Sequence, residues 1–396
     1  MTVEEGGAIY LDHAATAPLD PRVARAMSEC LSDPELQGNP ASAHASGRRA
    51  AARLAAARCE VAALIHAPAE SIVFTSGATE SVNLAVLGAA RAAPSAHRHI
   101  VTSRVEHRAG LDACRQLERE GYAVTWLRPR AGGSIDVSEV AESLRPDTAL
   151  VSLMHANNET GALTDVAAIA AECNARGITY HADAAQSVGK MPIDVGQAGV
   201  ALLSFSAHKL GGPKGIGALY VRRRPRPVLQ PLQFGGGQEG GLRSGTVALH
   251  QVVGFATACA IAGADLAAAA DRQRALRERL WQALQAAAPV WRNGDEPALP
   301  AILNVGFAGM EGESLLLEVD GRIALSSGSA CHSISAEPSY VLRALGRSDA
   351  AIQASVRLSI GRATTEADVD RAADILVHAV RRLRDALPPG AIERVA

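Results

Sequence analysis

This chain of 396 residues has few aromatic side chains, only 3%, and few features that would suggest an extracellular or membrane protein. Its six cysteines are scattered and include no C-x-x-C pair, so we expect free thiols in a reducing cytoplasm rather than a disulfide framework. No apolar run reaches the roughly 18 residues that span a bilayer, and we find no signal peptide. The formal net charge of −2 is spread evenly, which disfavours a direct nucleic-acid or membrane partner.

Sequence motifs that bind the phosphates of nucleotides are also missing. The chain has no G-x-x-x-x-G-K-[ST] sequence, and its glycine-rich turns do not open the helix of a first βαβ unit. These absences disfavour an NTPase or a dinucleotide-binding module. We also expect no metal site.

Strands and helices alternate through the first half of the chain. Predicted strands cover 71–75, 99–103, 123–127, 148–155 and 178–181. This alternation predicts an α/β fold with a mostly parallel sheet between helices. A turn at 76–81 should precede a helix at 82–91, and 247–284 has the pattern of one long helix that leads into a second domain.

The second half of the chain predicts a smaller α+β domain. Its strands are expected near 301–305 and 357–360, its helices near 313–319 and 366–387. We place the large domain at 20–262, and the small domain at 1–19 and 263–396.

Polar side chains follow nearly every predicted strand of the large domain. Ligand sites in parallel sheets gather beyond the carboxyl ends of the strands, so these residues should line one pocket. They are Thr79, His107, Asn158, Asp183, Gln186 and Lys209.

Lys209 lies in a tight turn between two apolar runs, 201–204 and 216–221. A desolvated amine held in such a turn is suited to forming a Schiff base with an aldehyde, although the turn alone fits a solvated lysine equally well. Pyridoxal phosphate would need a carboxylate for its ring nitrogen, which Asp183 could supply. Thr79, Ser206 and His208 could bind its phosphate, and His107 could cover its ring.

Cys331 lies within a run of small polar residues at 326–335 that is too poor in apolar side chains to be core. The run predicts a loop of the kind that closes over chemistry, and an exposed thiol without a role is the alternative. The other five cysteines fall in alanine-rich helical patterns, so we expect them to be small buried residues.

Short motifs extend over about the whole length of the chain. In chain order they are Tyr10-Leu11-Asp12, Gly77-Ala78-Thr79-Glu80-Ser81, Glu106-His107, Asn157-Asn158-Glu159, Asp183-Ala184-Ala185-Gln186, Ser206-Ala207-His208-Lys209, Arg243-Ser244-Gly245-Thr246, Ser327-Gly328-Ser329-Ala330-Cys331 and Arg357-Leu358-Ser359. With these motifs the chain resembles the cysteine desulfurases, which are fold-type I, class V aminotransferase-like enzymes that use pyridoxal 5'-phosphate. The resemblance implies a mostly parallel seven-stranded sheet in the large domain.

The resemblance also implies roles for individual residues. Lys209 would be the Schiff-base lysine, Asp183 the partner of the pyridine nitrogen, and Cys331 the nucleophile that takes sulfur from L-cysteine. By the same resemblance, His107 would lie on the ring face, and Asn158 and Gln186 would lie at the phenolic oxygen and substrate side. The phosphate would be bound by Ala78, Thr79, Ser206 and His208, and Thr246 would reach it from the partner subunit of a homodimer. Arg357 would bind the substrate carboxylate. The products would be L-alanine and a Cys331 persulfide, whose sulfur passes to an acceptor protein for iron–sulfur clusters, thio-tRNA or other products.

The chain departs from the usual pattern at several positions. Ala17 follows Thr16 where a second threonine is common, Gly240 replaces a common arginine, and His332 replaces a common threonine. The tail that housekeeping members use to dock an iron–sulfur scaffold is expected to be missing or reduced. A selenocysteine lyase or an aminotransferase on the same scaffold is the alternative, and the Cys331 motif disfavours the aminotransferase.

Overall fold

The computed structural model describes residues 7–327 and 338–386. Its strands are β1 (Ile9–Tyr10), β2 (Ile72–Thr75), β3 (His99–Ser103), β4 (Ala123–Leu127), β5 (Thr148–Met154), β6 (Thr179–Asp183), β7 (Leu202–Ser206), β8 (Gly217–Val221), β9 (Val290–Arg292), β10 (Ile302–Phe307), β11 (Ile323–Ala324), β12 (Ser326–Ser327) and β13 (Ser355–Ser359). Its helices are α1 (Pro21–Ser32), α2 (Ala45–Ala63), α3 (Ala78–Ala92), α4 (Arg108–Arg119), α5 (Val137–Ser143), α6 (Val166–Ala175), α7 (Val195–Ala198), α8 (Leu249–Ala264), α9 (Leu266–Ala287), α10 (Gly312–Val319), α11 (Tyr340–Ala344), α12 (Asp349–Gln353) and α13 (Glu366–Asp385).

The central sheet has seven strands in the order β2-β8-β7-β6-β5-β3-β4, which confirms the predicted α/β fold. Strand β8 runs antiparallel to both of its neighbours, and the other six strands are parallel to one another. Both faces are covered, since Val101 and Val151 belong to one buried cluster while Ile100 and Leu150 belong to another. The carboxyl ends of the six parallel strands therefore meet at one edge.

A second, four-stranded antiparallel sheet has the order β12-β13-β10-β9. The N-terminal strand β1 joins this part of the molecule, because Ile9 is in register with Ile323 of β11. Leu11 is fully buried in the same cluster as Leu280 and Leu358. Residues 9–11 are thus packed against the last third of the chain, and β1 leads from there to the edge of the central sheet.

Two helix boundaries differ from prediction. Helix α3 begins at Ala78, not at residue 82, because Gly77 adopts a φ of 155° and the chain turns into the helix directly after it. The long helix predicted for 247–284 is two helices, α8 and α9, that meet at 74°. The break is at Asp265, whose backbone leaves the helical region at φ −139° and whose carboxylate pairs with Arg362.

Four of the five cysteines predicted to be buried are buried, but Cys59 is exposed. Its position on α2 faces away from the core, while Ala57 and Val61 of the same helix are fully buried. Within residues 7–327 and 338–386, no single helix is long and apolar enough to cross a membrane. Helices α8 and α9 would reach that length and composition only as a bent pair.

Candidate active site

The carboxyl edge of the central sheet opens into a cavity of about 510 Å³. Turns after β2, β3, β5, β6 and β7 supply most of its wall, and the segment after β1 and Arg357 of β13 supply the rest. Ten residues singled out from the sequence line it: Ala78, Thr79, His107, Asn158, Asp183, Gln186, Ser206, His208, Lys209 and Arg357.

One end of the cavity is formed by the N-terminus of α3. The backbone N–H groups of a first helical turn lack intrahelical partners, and together with the helix dipole they favour an anion. Strand β8 approaches this turn so closely that a Cβ on Gly217 would lie 2.7 Å from the Cα of Gly77, so only glycine fits there. The hydroxyls of Thr79 and Ser206 and the imidazole of His208 line the same cavity. This end is suited to a phosphate.

Asp183 ends β6 and is 8% exposed on the cavity wall. One carboxylate oxygen, Oδ1, accepts from the backbone N–H of Ala185 at 2.9 Å, and no described donor reaches the other. Burial raises the pKa of Asp183, and the charges of His107 and Lys209 oppose that rise. A cationic N–H from a bound group would therefore find an open, desolvated acceptor here.

Glu106 is buried behind this carboxylate. It is 3% exposed, accepts a hydrogen bond from the Ser103 hydroxyl at 2.6 Å, and burial raises its pKa to about 8. A second carboxylate beside Asp183 is consequently protonated at neutral pH, which avoids two negative charges in one buried site. The motif Glu106-His107 drew attention to the histidine, whereas the glutamate is the more buried of the two.

His107 is held by the backbone as the N-cap of α4. Its Nδ1 accepts a hydrogen bond from the N–H of Ala109 at 3.2 Å, which fixes the plane of the ring at the cavity wall. Asn158 lies on the wall after β5, and its buried Oδ1 has no hydrogen-bond partner among the described residues. An unpartnered polar atom in a cavity wall points to a missing ligand group.

Lys209 follows β7 in a single helical turn, and its half-buried amine donates to the carbonyls of Ala14 and Ala15, the latter at 2.8 Å. Gln186 donates to the same Ala14 carbonyl from Nε2 at 2.9 Å. The ammonium of Lys190 in turn donates to Gln186 Oε1 at 3.1 Å. The segment after β1 thus covers the lysine and the glutamine together.

Arg357 extends from β13 to the cavity with 2% of its side chain exposed. Its Nη1 donates to the Asn158 carbonyl, and its Nη2 donates to Asp12 Oδ1, both at 2.9 Å. Nη2 also donates to Ser326 Oγ at 3.3 Å, while the buried Nε has no partner in the described structure. The guanidinium is therefore fixed in place and retains an unused donor.

One predicted site residue, Thr246, does not line this cavity, and another, Cys331, cannot be placed relative to it from the residues that the structure describes. Thr246 is exposed, and Cys331 lies outside the described residues, as do His332 and most of the predicted loop. The structure does describe Ala17 and Gly240, the two other positions at which the chain departs from the family pattern. Next to Ala17, the Thr16 hydroxyl forms a hydrogen bond with His208 at 3.1 Å. Gly240 has a φ of 65°, which disfavours an arginine in the same conformation.

The glycine-rich loop that carries Thr246 is attached to the phosphate end at two points. Glu239 forms a two-pronged ion pair with Arg58, at 2.6 and 2.7 Å, and accepts from the N–H of Phe74 on edge strand β2. Arg243 donates to Glu80 at 3.0 Å, and Glu80 also accepts from the N–H of Ser76. These contacts place the loop beside the turn at Gly77.

Sequence reasoning missed Asp12, Glu106 and Lys190 as site residues, together with Lys214, which lines the cavity. Lys214 belongs to the same glycine-rich turn as Lys209, so its position could have been noticed. Asp12 and Arg357 are 345 residues apart, and no local pattern relates them.

The residues present fit pyridoxal phosphate. An amine, a buried carboxylate with one open oxygen, and a helix N-terminus flanked by hydroxyls surround one cavity of about 510 Å³. These are the partners that the cofactor's aldehyde, ring nitrogen and phosphate need. The unpartnered Asn158 Oδ1 and Arg357 Nε leave further polar atoms for a bound substrate.

Comparisons with known proteins agree with this geometry. The model of the family "Aminotransferase class-V" matches residues 9–372. The cysteine desulfurase IscS of Pectobacterium atrosepticum is 51% identical, and that of Cronobacter sakazakii 52% identical, each over 96% of this chain and 94% of the relative.

Solved structures give the same result. A NifS-like protein superposes with a TM-score of 0.87 at 33% identity, covering 96% of this chain and 100% of its own. DndA from Streptomyces lividans superposes with a TM-score of 0.75 at 39% identity, covering 88% of this chain and 99% of its own. The chain belongs to the class-V aminotransferase family of pyridoxal-phosphate-dependent enzymes, among its cysteine desulfurases.

Proposed function

We propose that this cysteine desulfurase works through Lys209 and Asp183 in the cavity and through the thiol of Cys331. The observation that carries the proposal is the placement of the Lys209 amine, the open oxygen of Asp183 and the N-terminus of α3 around one cavity. When bound there, pyridoxal phosphate supplies an electron sink for charge that develops at the substrate Cα.

Each residue has a separate task. Lys209 would hold the cofactor through its amine, and that amine could also move the Cα proton of the substrate. Asp183 would keep the ring nitrogen protonated, and His107 would cover the ring face. Gln186 would donate to the cofactor's phenolic oxygen. The phosphate would be held by the amides at Ala78 and by Thr79, Ser206 and His208.

Arg357 and Asn158 would bind the substrate carboxylate. The guanidinium is already oriented by Asp12 and by the Asn158 carbonyl, so a carboxylate meets a rigid, planar donor with an unused Nε. The Asn158 amide lies on the same wall. This arrangement favours an α-amino acid as substrate, and L-cysteine in particular if Cys331 is the acceptor thiol.

Cys331 would take the sulfur as a thiolate. An S–S bond forms between Cys331 and the substrate sulfur while the substrate Cβ–S bond breaks, and the electron pair stays with the carbon fragment. Two protonations of that fragment, at Cβ and Cα, replace the lost sulfur and the abstracted proton. The products are L-alanine and a persulfide on Cys331, and one thiol acceptor in a partner protein receives the sulfur next.

The assembly and its location extend the proposal. We propose a homodimer in which the exposed Thr246 reaches the partner's cofactor phosphate, since its loop is fixed beside the phosphate end but Thr246 does not line its own cavity. We also propose two units: a large one at 20–262, which holds the seven-stranded sheet, and a small one at 1–19 and 263–396, which holds the four-stranded sheet and the β1-β11 pair. The small unit would carry the cysteine loop, at about 326–337. Reactive and buried free thiols favour a cytoplasmic, reducing location.

Lys209→Ala tests the cofactor site. The purified protein should be yellow, and the visible absorbance band should be lost in the variant, while an alanine at the exposed Lys214 should leave the band in place. A wild-type protein that stays colourless after incubation with pyridoxal phosphate would contradict the proposal.

A further inference from the structure

Lys190 is a buried lysine to which neither the sequence nor the proposed mechanism gives a role. Lys190 follows β6 in the chain, and only 8% of the residue is exposed. Its ammonium makes one hydrogen bond, to Gln186 Oε1, and no carboxylate of the described structure lies within ion-pairing distance of it. A buried cation without a counter-ion is costly to keep, so its presence calls for a functional reason.

The ionisable groups that interact electrostatically with Lys190 are two cations, Lys209 and Arg357 of β13, and the imidazoles of His13 and His208. Burial, followed by the charges of Lys209 and Arg357, lowers the pKa of Lys190 to about 7. When the Lys209 amine binds an aldehyde and gives up its charge, its contribution to this lowering is lost, so the cofactor-loaded enzyme favours the charged form of Lys190. A second cavity, of about 220 Å³, also borders Lys190, and the Asp20 carboxylate that lines it pairs with Arg22 and not with Lys190.

The hydrogen bond to Gln186 fixes the direction of that amide. A lysine ammonium can only donate, so the oxygen of the Gln186 side chain must face Lys190. Its NH2 group then necessarily faces the other way, and Nε2 is found 2.9 Å from the Ala14 carbonyl that Lys209 also contacts. The donor end of Gln186 is therefore aimed at the cavity.

We propose that Lys190 is a positioning residue, which turns the donors of Gln186 toward the cofactor's phenolic oxygen and presents a buried positive charge behind Lys209. This inference rests on the proposed cofactor site. The positive charge opposes protonation of the nitrogen that Lys209 contributes to the bound cofactor, and it favours the ionised phenolic oxygen. Removing it should make that nitrogen a stronger base.

The test is a pH titration of the visible absorbance of the cofactor-loaded enzyme. In Lys190→Met the midpoint should rise by about one pH unit, the shift expected for loss of one nearby charge at an effective dielectric constant of about 20. Lys190→Gln is also uncharged, and its midpoint should rise by a similar amount. With two uncharged variants, the test still has a result if one of them fails to fold. Lys190→Arg keeps the charge and the donors, and its midpoint should stay at or below that of the wild type.

Arg176→Met is the control, because Arg176 is an exposed cation outside the cavity, so water screens its charge. Its midpoint should shift much less than that of Lys190→Met. An unchanged midpoint in both uncharged Lys190 variants would overturn the inference, and so would an equal rise in all three Lys190 variants. A wild type without any visible band would instead contradict the cofactor site itself.

Discussion

Arg357 donates to the carboxylate of Asp12 at 2.9 Å, although the two residues are 345 positions apart in the chain. The pair joins the segment after β1 to strand β13 of the four-stranded sheet, at the wall of the cavity. A buried arginine with a fixed partner loses little freedom when it binds a carboxylate, because its orientation is already set. Under the proposed function, substrate binding therefore depends on a contact between the segment after β1 and strand β13.

Arg357→Lys should therefore impair substrate binding more than catalysis. Lysine retains the charge but not the planar pair of donors, so KM for L-cysteine should rise about tenfold or more, with a smaller change in kcat. Steady-state alanine production measures both, and the visible spectrum should not change. Arg277→Lys, a substitution of a buried, ion-paired arginine outside the cavity, is the control. An unchanged KM in Arg357→Lys would contradict the assignment.

Asp183→Asn tests the open carboxylate oxygen. The amide is nearly the same size but cannot stabilise a protonated ring nitrogen, so desulfurase activity should fall on the order of a hundredfold. The variant should still bind the cofactor, which an absorbance spectrum checks. Asp194→Asn, at the N-cap of α7 and outside the cavity, should retain activity. Full activity in Asp183→Asn would rule out its proposed role.

Glu106 should make the folded protein sensitive to pH. Burial raises its pKa from 4.5 to about 8, so the stability it contributes is fully present below about pH 4.5 and is lost as the pH rises toward 8. Glu106→Gln cannot ionise and lacks this dependence. Compared with the variant, the wild type should lose free energy of unfolding at about 1.4 kcal/mol per pH unit between pH 5 and 8. Urea unfolding at several pH values measures this, and parallel curves would refute it.

Glu239→Gln should loosen the glycine-rich loop. The Glu239 side chain is 3% exposed and that of Arg58 is 19% exposed, so the substitution leaves a mostly buried guanidinium without its counter-ion. Breaking such a pair costs about 3 kcal/mol. Glu35→Gln, which breaks the exposed pair with Arg49, should cost less than about 1 kcal/mol. Urea unfolding compares the two variants, and hydrogen exchange should show faster exchange at residues 234–246 in Glu239→Gln alone.

The sequence was sufficient for the features that depend on local pattern and on the geometry of parallel sheets. Strand ends are readable from apolar runs and turns, so the convergence of His107, Asp183 and Lys209 on one edge followed directly. Helix boundaries were less accessible: the break at Asp265 depends on a contact with Arg362, which is close only in the folded chain. The same limit hid the Asp12–Arg357 pair and the contact of Lys190 with Gln186.

Sulfur transfer to Cys331 is the central claim, and a single-turnover experiment tests it most directly. The cofactor-loaded enzyme is mixed with one equivalent of L-cysteine, alanine is quantified, and the intact mass of the chain is measured without reductant. The wild type should release alanine and gain one sulfur atom, which reductant removes. Cys331→Ser should keep the visible band, gain no sulfur and release no alanine, whereas Cys59→Ser, which alters an exposed thiol, should behave as the wild type. Alanine release at the wild-type level from Cys331→Ser would contradict the account.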